Sequence, residues 1–427
     1  MRAGQTSRFS IVVVGAALLA PVTALATDGY FAPGYGVQEN GRGGASYATA
    51  DDAMGGANNP ASMAFVGARV DLGMYLFSPS RSAATSGNAY GLNGSATSGS
   101  TLFAIPELGY NQPLTGNWDV GVTVYGNGGM NTDYPGGQIP AGHCGPGAPA
   151  ANLLCGGGKL GIDLSQIIIA PTLSYKITPD ISVGISPLLA YQRFAAAGLQ
   201  AFAGFSQSPG ALSNNSYSDS YGAGVRVGAM WQATPRLSLG ATYQSEVFMT
   251  PFSRYQGLFA QGGSFDIPAN AGLGVAFKLT PTLRLAADYE RIFYSGVNAI
   301  GDASTSPGLL GASNGPGFGW RDINVFRAGF DWQAMPALTL RAGYNHGDNP
   351  VPARDVTFNI LAPGVVTDHL SAGFTYRLTE RAEISASYTH GFANTVTGPT
   401  NPLLPGGGTN RITLSEDEVG AAFGWRF

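Results

Sequence analysis

Apolar residues recur at every second position through most of the chain from about Val70 to Phe427. Leu338, Leu340, Ala342 and Tyr344 share one parity, and Thr339, Arg341 and Gly343 the other. Leu283, Leu285, Ala287 and Tyr289 alternate in the same way with Arg284, Ala286 and Asp288, and Leu237, Leu239, Ala241 and Tyr243 form a third such face. The last stretch sets Val419, Ala421, Phe423, Trp425 and Phe427 on one side. A period of two belongs to pleated strands and excludes amphipathic helices over these runs.

Short turns separate pairs of runs: Thr115-Gly116-Asn117, Thr178-Pro179-Asp180, Thr234-Pro235-Arg236, Thr280-Pro281-Thr282, Met335-Pro336-Ala337 and Thr379-Glu380-Arg381. Between them lie longer segments rich in Gly, Ser, Pro and Asn, near 79–100, 130–158, 196–220, 250–264, 296–321, 347–364 and 393–415. Six tight turns and seven long loops predict an all-β fold of about 14 antiparallel strands, with both termini on the tight-turn side. An even strand count with short turns at one rim and long loops at the other is the pattern of a transmembrane β-barrel of the outer membrane. Past residue 26 no apolar run approaches twenty residues, so strands must carry any membrane crossing. They can do so only by closing on themselves, which satisfies every backbone polar group in lipid.

The N-terminal part lacks this alternation. Arg2 and Arg8 precede an apolar run from Ile11 to Ala20, and Ala24-Leu25-Ala26 offers a cleavage site, so residues 1–26 are expected to be a secretory signal peptide. Residues 27–66 are irregular and rich in small residues, most of all from Gly41 to Ala61. Such a segment ahead of a strand array suits an N-terminal hatch, a plug around which the barrel of residues 67–427 closes.

Composition agrees. Charged residues make up 11% of the 427, with 63 glycines and a hydrophobic fraction of 44%. A soluble protein carries about 25% charged residues. The net charge of -4 gives no reason to expect nucleic acid. Arg284, Asp288, Glu290, Arg327, Asp331, Arg341, Arg377, Glu383, Glu418 and Arg426 all take the lumen parity. On the lipid face near the midplane each would cost about 2–4 kcal/mol. They form either an ion-pair network joining barrel and plug, or a polar path or carboxylate site; the pattern does not choose.

Two outer loops are apolar where polarity is expected. In 245–262, Phe248, Phe252, Tyr255 and Phe259 follow helical spacing, with Met249 and Leu258 beside them. In 196–206, Leu199, Phe202 and Phe205 recur three apart. Two short amphipathic helices are expected on the outer rim. They either leave a greasy ligand-capture groove or merely cap each other. Cys144 and Cys155 are the only cysteines and lie in one loop, where an oxidising envelope favours a local disulfide. In the chain-entropy view it would add about 3 kcal/mol. His143 beside them does not complete a zinc site, and the four histidines accompany no nucleophile constellation. No metal, no cofactor and no enzymatic activity are expected. Asn127-Gly128-Gly129 interrupts the strand from Val120 to Tyr125, and glycine inside a strand marks a bulge or bend.

Gly43-Gly44-Ala45 and Asp51-Asp52-Ala53, leading to Asn59-Pro60-Ala61, resemble the hatch of the FadL/TodX family of outer-membrane transporters for long-chain fatty acids and other hydrophobic compounds. Pro106-Glu107-Leu108-Gly109-Tyr110, the run from Tyr125 to Tyr134, Ile267-Pro268-Ala269 and Trp320-Arg321-Asp322 are also similar in order and spacing. The resemblance covers essentially the whole mature chain. It implies passive transport: capture between the third and fourth outer loops, passage to an internal apolar site, hatch rearrangement, and lateral exit beside a kinked third strand at Asn127, Gly128 and Gly129. It implies a monomer in contact with outer-membrane lipid and lipopolysaccharide. A fatty acid would need a cation, for which Arg193 and Arg254 are candidates, so a fatty acid and an aromatic hydrocarbon both stay open. The alternative is a general porin or a structural barrel without specific lipid binding.

Overall fold

The computed structural model describes residues 28–427. The expected signal peptide, and Thr27 at the start of the hatch, lie outside the described residues. Fourteen long strands form the wall: β1 (Arg69–Ser86), β2 (Phe103–Pro113), β3 (Trp118–Asn131), β4 (Gly161–Thr178), β5 (Ile181–Ala197), β6 (Ser218–Trp231) and β7 (Leu237–Gln244). They continue with β8 (Asn270–Thr280), β9 (Leu283–Ile292), β10 (Ile323–Met335), β11 (Leu338–Gly347), β12 (Asp368–Arg377), β13 (Ala382–Pro399) and β14 (Thr409–Arg426). Each pairs antiparallel with the next, and β1 pairs with β14 from Arg69↔Arg426 to Ser86↔Thr409, which closes the sheet. This is the expected 14-stranded barrel. Two short segments, Gly94–Thr97 and Phe248–Met249, add onto β1 and β6.

The repeated threonine of the tight turns has a local cause. The hydroxyls of Thr178, Thr234 and Thr379 accept from the amides of Ile181, Leu237 and Ala382 at 2.9–3.0 Å. Each turn thus satisfies a backbone donor that the ladder leaves free. Above the turns the parity of the sequence is the parity of the wall. Leu72, Leu273 and Leu370 stand exposed on the outer face, whereas Asp288, Glu290, Arg327, Asp331, Arg341, Glu383 and Glu418 are buried inside. Arg377 and Arg426 share the inward parity but sit exposed at the tight-turn rim, where Arg426 reaches Glu383 at 3.4 Å.

Three strands run further outward than their composition suggests. β1 continues to Ser86, β13 to Pro399, and β14 begins at Thr409, so parts of the expected loops 79–100 and 393–415 are strand. Their Ser, Thr and Gly residues read as loop. They pair with one another at the outer rim all the same, from Ser86↔Thr409 and Pro399↔Thr409 inward.

Residues 28–64 lie within the barrel and are almost wholly buried. They hold a one-turn helix α1 (Val37–Asn40), a second, α2 (Gly55–Asn58), and a 3-10 turn over Pro60–Phe65. So short a segment cannot keep its own structure; the wall holds it. The amides of Ser46 and Tyr47 donate to Asp288 at 2.6 and 3.0 Å. Gln38 lies between Arg341 and Glu383, accepting at 2.6 Å and donating at 3.1 Å. Arg42 bonds Asp331 at 2.7 Å, and Asp51 takes Arg284 at 2.6 Å and Arg42 at 3.0 Å. Burial alone would raise the Asp51 carboxyl, but these two guanidinium groups hold it below the usual carboxylate range. Burial pushes the Glu39 carboxyl up to about 7 against the attraction of Arg42.

Candidate functional site

The wall is incomplete at one place. β2 and β3 pair only from Leu108↔Val124 to Pro113↔Asp119. Above that, β2 stays with β1 up to Phe77↔Phe103, and β3 stays with β4 up to Asn131↔Asp163. The β3–β4 register slips between Gly126 and Gly128, so Asn127 is the extra residue of a bulge, which bends a strand and breaks its pairing. The two strands part there and leave a window between Phe103–Glu107 on one side and Tyr125–Asn131 on the other. Its upper border is closed by Gly99 N–H to Asp133 O at 2.8 Å and Asp133 N–H to Ser98 Oγ at 2.9 Å. The buried guanidinium of Arg81, on β1, donates to the carbonyls of Ser100 and Asn131 across the same border.

The hatch fills this window from inside. Phe31 forms a bridge with Gly128, and the Tyr35 hydroxyl donates to the Asn127 side chain at 3.1 Å. A β-carbon on Gly128 would lie 1.9 Å from the Tyr30 carbonyl oxygen, so glycine is required for this approach. Asn59-Pro60-Ala61 is held against β5 and β6. Asn59 accepts from Ala61 N–H at 3.1 Å and donates to the carbonyls of Tyr47 and of Ala229 in β6, at 2.7 and 3.1 Å. Ser182 Oγ of β5 donates to the Ala61 carbonyl at 2.8 Å. Asp52 accepts from the Met54 amide at 2.9 Å.

The two apolar outer loops do not form the expected helices. Gln200–Phe205 and Ser253–Tyr255 are 3-10 turns, and Phe248–Met249 adds to β6 as strand. Pro251 and Gly257 break the helical spacing of the second loop. Leu199, Phe202, Phe252, Tyr255 and Phe259 are buried, whereas Phe248 is 68% exposed and Phe205 40%, so both face away. Phe194 anchors the cluster, with ring centroids 4.8 Å from Tyr255 and 4.7 Å from Phe259. The small apolar cavity beside it takes Leu258 and Phe259 from one loop. Leu310, Phe318, Phe358 and Leu361 come from two later loops whose part the sequence pattern did not signal.

Neither arginine considered for a carboxylate lines the cavity beside Phe194. Arg193 alternates with inward-facing Phe194 and lies 3.6 Å from the Tyr217 ring centroid on the outer side of the wall. Arg254 is exposed and donates to the Asn215 carbonyl at 3.0 Å. Arg81, which lay within an expected loop, does line a largely apolar cavity. With Glu416 it joins Tyr30, Phe77, Met130 and Trp320 around a small cavity next to Gly129 of the window. Cys144 and Cys155 are joined, with an S–S distance of 2.08 Å. Among the described residues no group of three or more His, Cys, Asp and Glu side chains is placed to hold a metal.

A closed outer-membrane barrel with its lumen filled by its own N-terminal segment is the class this architecture defines. Residues 19–409 match the family described as outer membrane protein transport protein (OMPP1/FadL/TodX), and the chain belongs to it. Among solved structures, the toluene transporter TodX of P. putida is similar at 18% identity with a TM-score of 0.67, covering 92% of this chain and 99% of that one. The toluene transporter TbuX of Ralstonia pickettii aligns at 17% identity and a TM-score of 0.65, over 92% and 99%. A Pseudomonas aeruginosa FadL homologue aligns at 18% and 0.67, over 93% and 100%. These likenesses are of fold. No curated protein sequence matches the chain.

Proposed function

We propose that the chain is a passive outer-membrane channel for small hydrophobic molecules, which enter among the outer loops and leave sideways between β2 and β3. The observation that carries this reading is the window above Leu108↔Val124, occupied from within by hatch residues Tyr30, Phe31 and Tyr35. Release requires only that this short stretch withdraw. A lateral exit suits an apolar cargo, which prefers lipid to periplasmic water by about 0.8 kcal/mol per CH₂. The gradient then suffices and no energy source is needed. TodX and TbuX are named as toluene transporters, which fits a cargo of this kind. A general porin fits less well, because the hatch occupies the lumen with buried, bonded side chains.

Deletion of Asn127 tests the reading. It removes the extra residue of the bulge and lets β3 run straight along β4 and back toward β2. Uptake of radiolabelled toluene by cells expressing the variant should fall at least about tenfold, a loss of about 1.4 kcal/mol or more. Heat-modifiable mobility on gels should show the barrel still folded. Uptake at the parental rate from a folded variant would refute lateral release.

A further inference from the structure

Residues 315–320 read Gly-Pro-Gly-Phe-Gly-Trp, a period of two with glycine at every other place. They form a buried strap, neither helix nor strand, inside the outer-loop assembly. Phe318 N–H donates to Ala299 O at 3.1 Å and Trp320 N–H to Ile300 O at 2.9 Å. Asn359 locks the same strap, accepting from Trp320 Nε1 at 2.5 Å and donating to Phe318 O at 2.7 Å. One side of the strap is pressed against its neighbours. Gly319 has φ 73° and faces the Asp355 carboxyl, where a β-carbon would come within 2.2 Å. Pro316, Phe318 and Trp320, by contrast, border open space.

These three side chains line three successive cavities. Pro316 belongs to an outer groove with Phe205, Pro307, Leu309 and Leu403. Pro316 and Phe318 both line the middle cavity beside Phe259. Trp320 lines the inner cavity beside Tyr30 and Gly129, at the window. A second thread joins the last two, since the consecutive residues Leu361 and Ala362 line the middle and the inner cavity in turn.

We infer that the strap is the rail of one route from the outer groove to the window, and that its cargo is uncharged. The middle cavity decides the cargo. Its lining comprises aliphatic and aromatic residues with Pro316 and Gly317, and no ionisable or hydrogen-bonding side chain. A carboxylate passing there would lose its water and gain no partner. A neutral monoaromatic or short alkyl molecule has no charge to desolvate and need only part the side chains around it. The outer mouth is thus built from the Phe205, Leu309 and Leu403 loops rather than from the two apolar loops alone. The inference takes its end point from the lateral-release reading but stands on the cavities above it.

Crystals of the full chain equilibrated with bromobenzene give the direct test. Anomalous bromine peaks are expected beside Leu309, Phe318 and Trp320. In cells, Phe318→Gln puts a hydrogen-bonding group in the middle cavity and should lower toluene uptake about tenfold. Phe248→Gln, on an exposed ring outside the route, should leave it unchanged. Bromine absent from the middle cavity, or Phe318→Gln taking up toluene at the parental rate, would overturn the route. So would decanoate entering as fast as toluene at pH 8. If the deletion of Asn127 still blocks uptake in that case, lateral release stands and only the rail falls.

Discussion

Arg42 of the hatch and Asp331 of β10 meet at 2.7 Å inside the barrel, and Asp331 also takes Arg341 at 2.7 Å and Arg284 at 2.8 Å. One carboxylate thus joins the plug to three strands. Asp331→Asn should leave three guanidinium groups sharing less negative charge, at about 3–5 kcal/mol. The hatch should loosen before the wall does. Planar-bilayer recordings are expected to show ion conductance that the parent lacks, and thermal unfolding should begin at a lower temperature. A quiet, equally stable variant would mean that Asp331 does not anchor the hatch.

Glu39 gives the hatch a pH dependence. Burial raises its carboxyl from 4.5 to about 7 in the folded protein. A raised folded value means that the proton is held more tightly when the hatch is docked. The contribution is present in full below the unfolded value and is lost as pH rises through the folded one. Hatch docking should therefore weaken between about pH 4.5 and 7. Asp51, held low by Arg284 and Arg42, acts oppositely and only in stronger acid. Hydrogen exchange of hatch amides should quicken from pH 5 to pH 8, after correction for the intrinsic rate. Glu39→Gln should flatten that difference.

The barrel was legible because its signal is a parity repeated in every strand. Leu285 and Asp288 take opposite faces for the same reason in the sequence and in the wall. The Thr178, Thr234 and Thr379 turns were legible because a hydroxyl capping a backbone amide is a local event. The outer loops were not. Phe248, Phe252, Tyr255 and Phe259 have helical spacing, yet Phe248 joins a strand and the other three pack on Phe194 from irregular backbone. Spacing cannot show that a partner fifty or more residues away will override it. Arg81 was hidden for another reason: Ser80, Ser82 and Gly87 around it read as loop, although the strand continues to Ser86. In the hatch, Asn59 stood out through the resemblance of Asn59-Pro60-Ala61 to the family's hatch, but its bond to Ala229 of β6 belongs to tertiary structure alone.

Asn59→Ala should cost the hatch the start of its 3-10 turn and its tie to β6. Loss of a side-chain cap costs about 1 kcal/mol, and the Tyr47 carbonyl that loses Asn59 as its donor adds about 1–3 kcal/mol. Limited proteolysis should cut within residues 47–66 faster than in the parent. Most of the wall's strand pairing does not involve Asn59, so strand content by circular dichroism is expected to stay unchanged.

Arg81 closes the upper border of the window, since its guanidinium holds the carbonyls of Ser100 and Asn131 together. Arg81→Met keeps much of the apolar stem and removes both donors. The freed carbonyls sit at the edge of a wall that β2 and β3 already leave unpaired, so water can reach them and the cost falls at the low end of about 1–3 kcal/mol. The change should be local. Amide exchange at Asn131, Thr132 and Asp133 is expected to rise, while exchange at Val122 and Val124, below the window and paired with Tyr110 and Leu108, should not. Toluene release should quicken or stay level, because the border that Arg81 secures limits how far β3 can swing out. Slower release from a folded Arg81→Met barrel would show that the arginine props the window open instead.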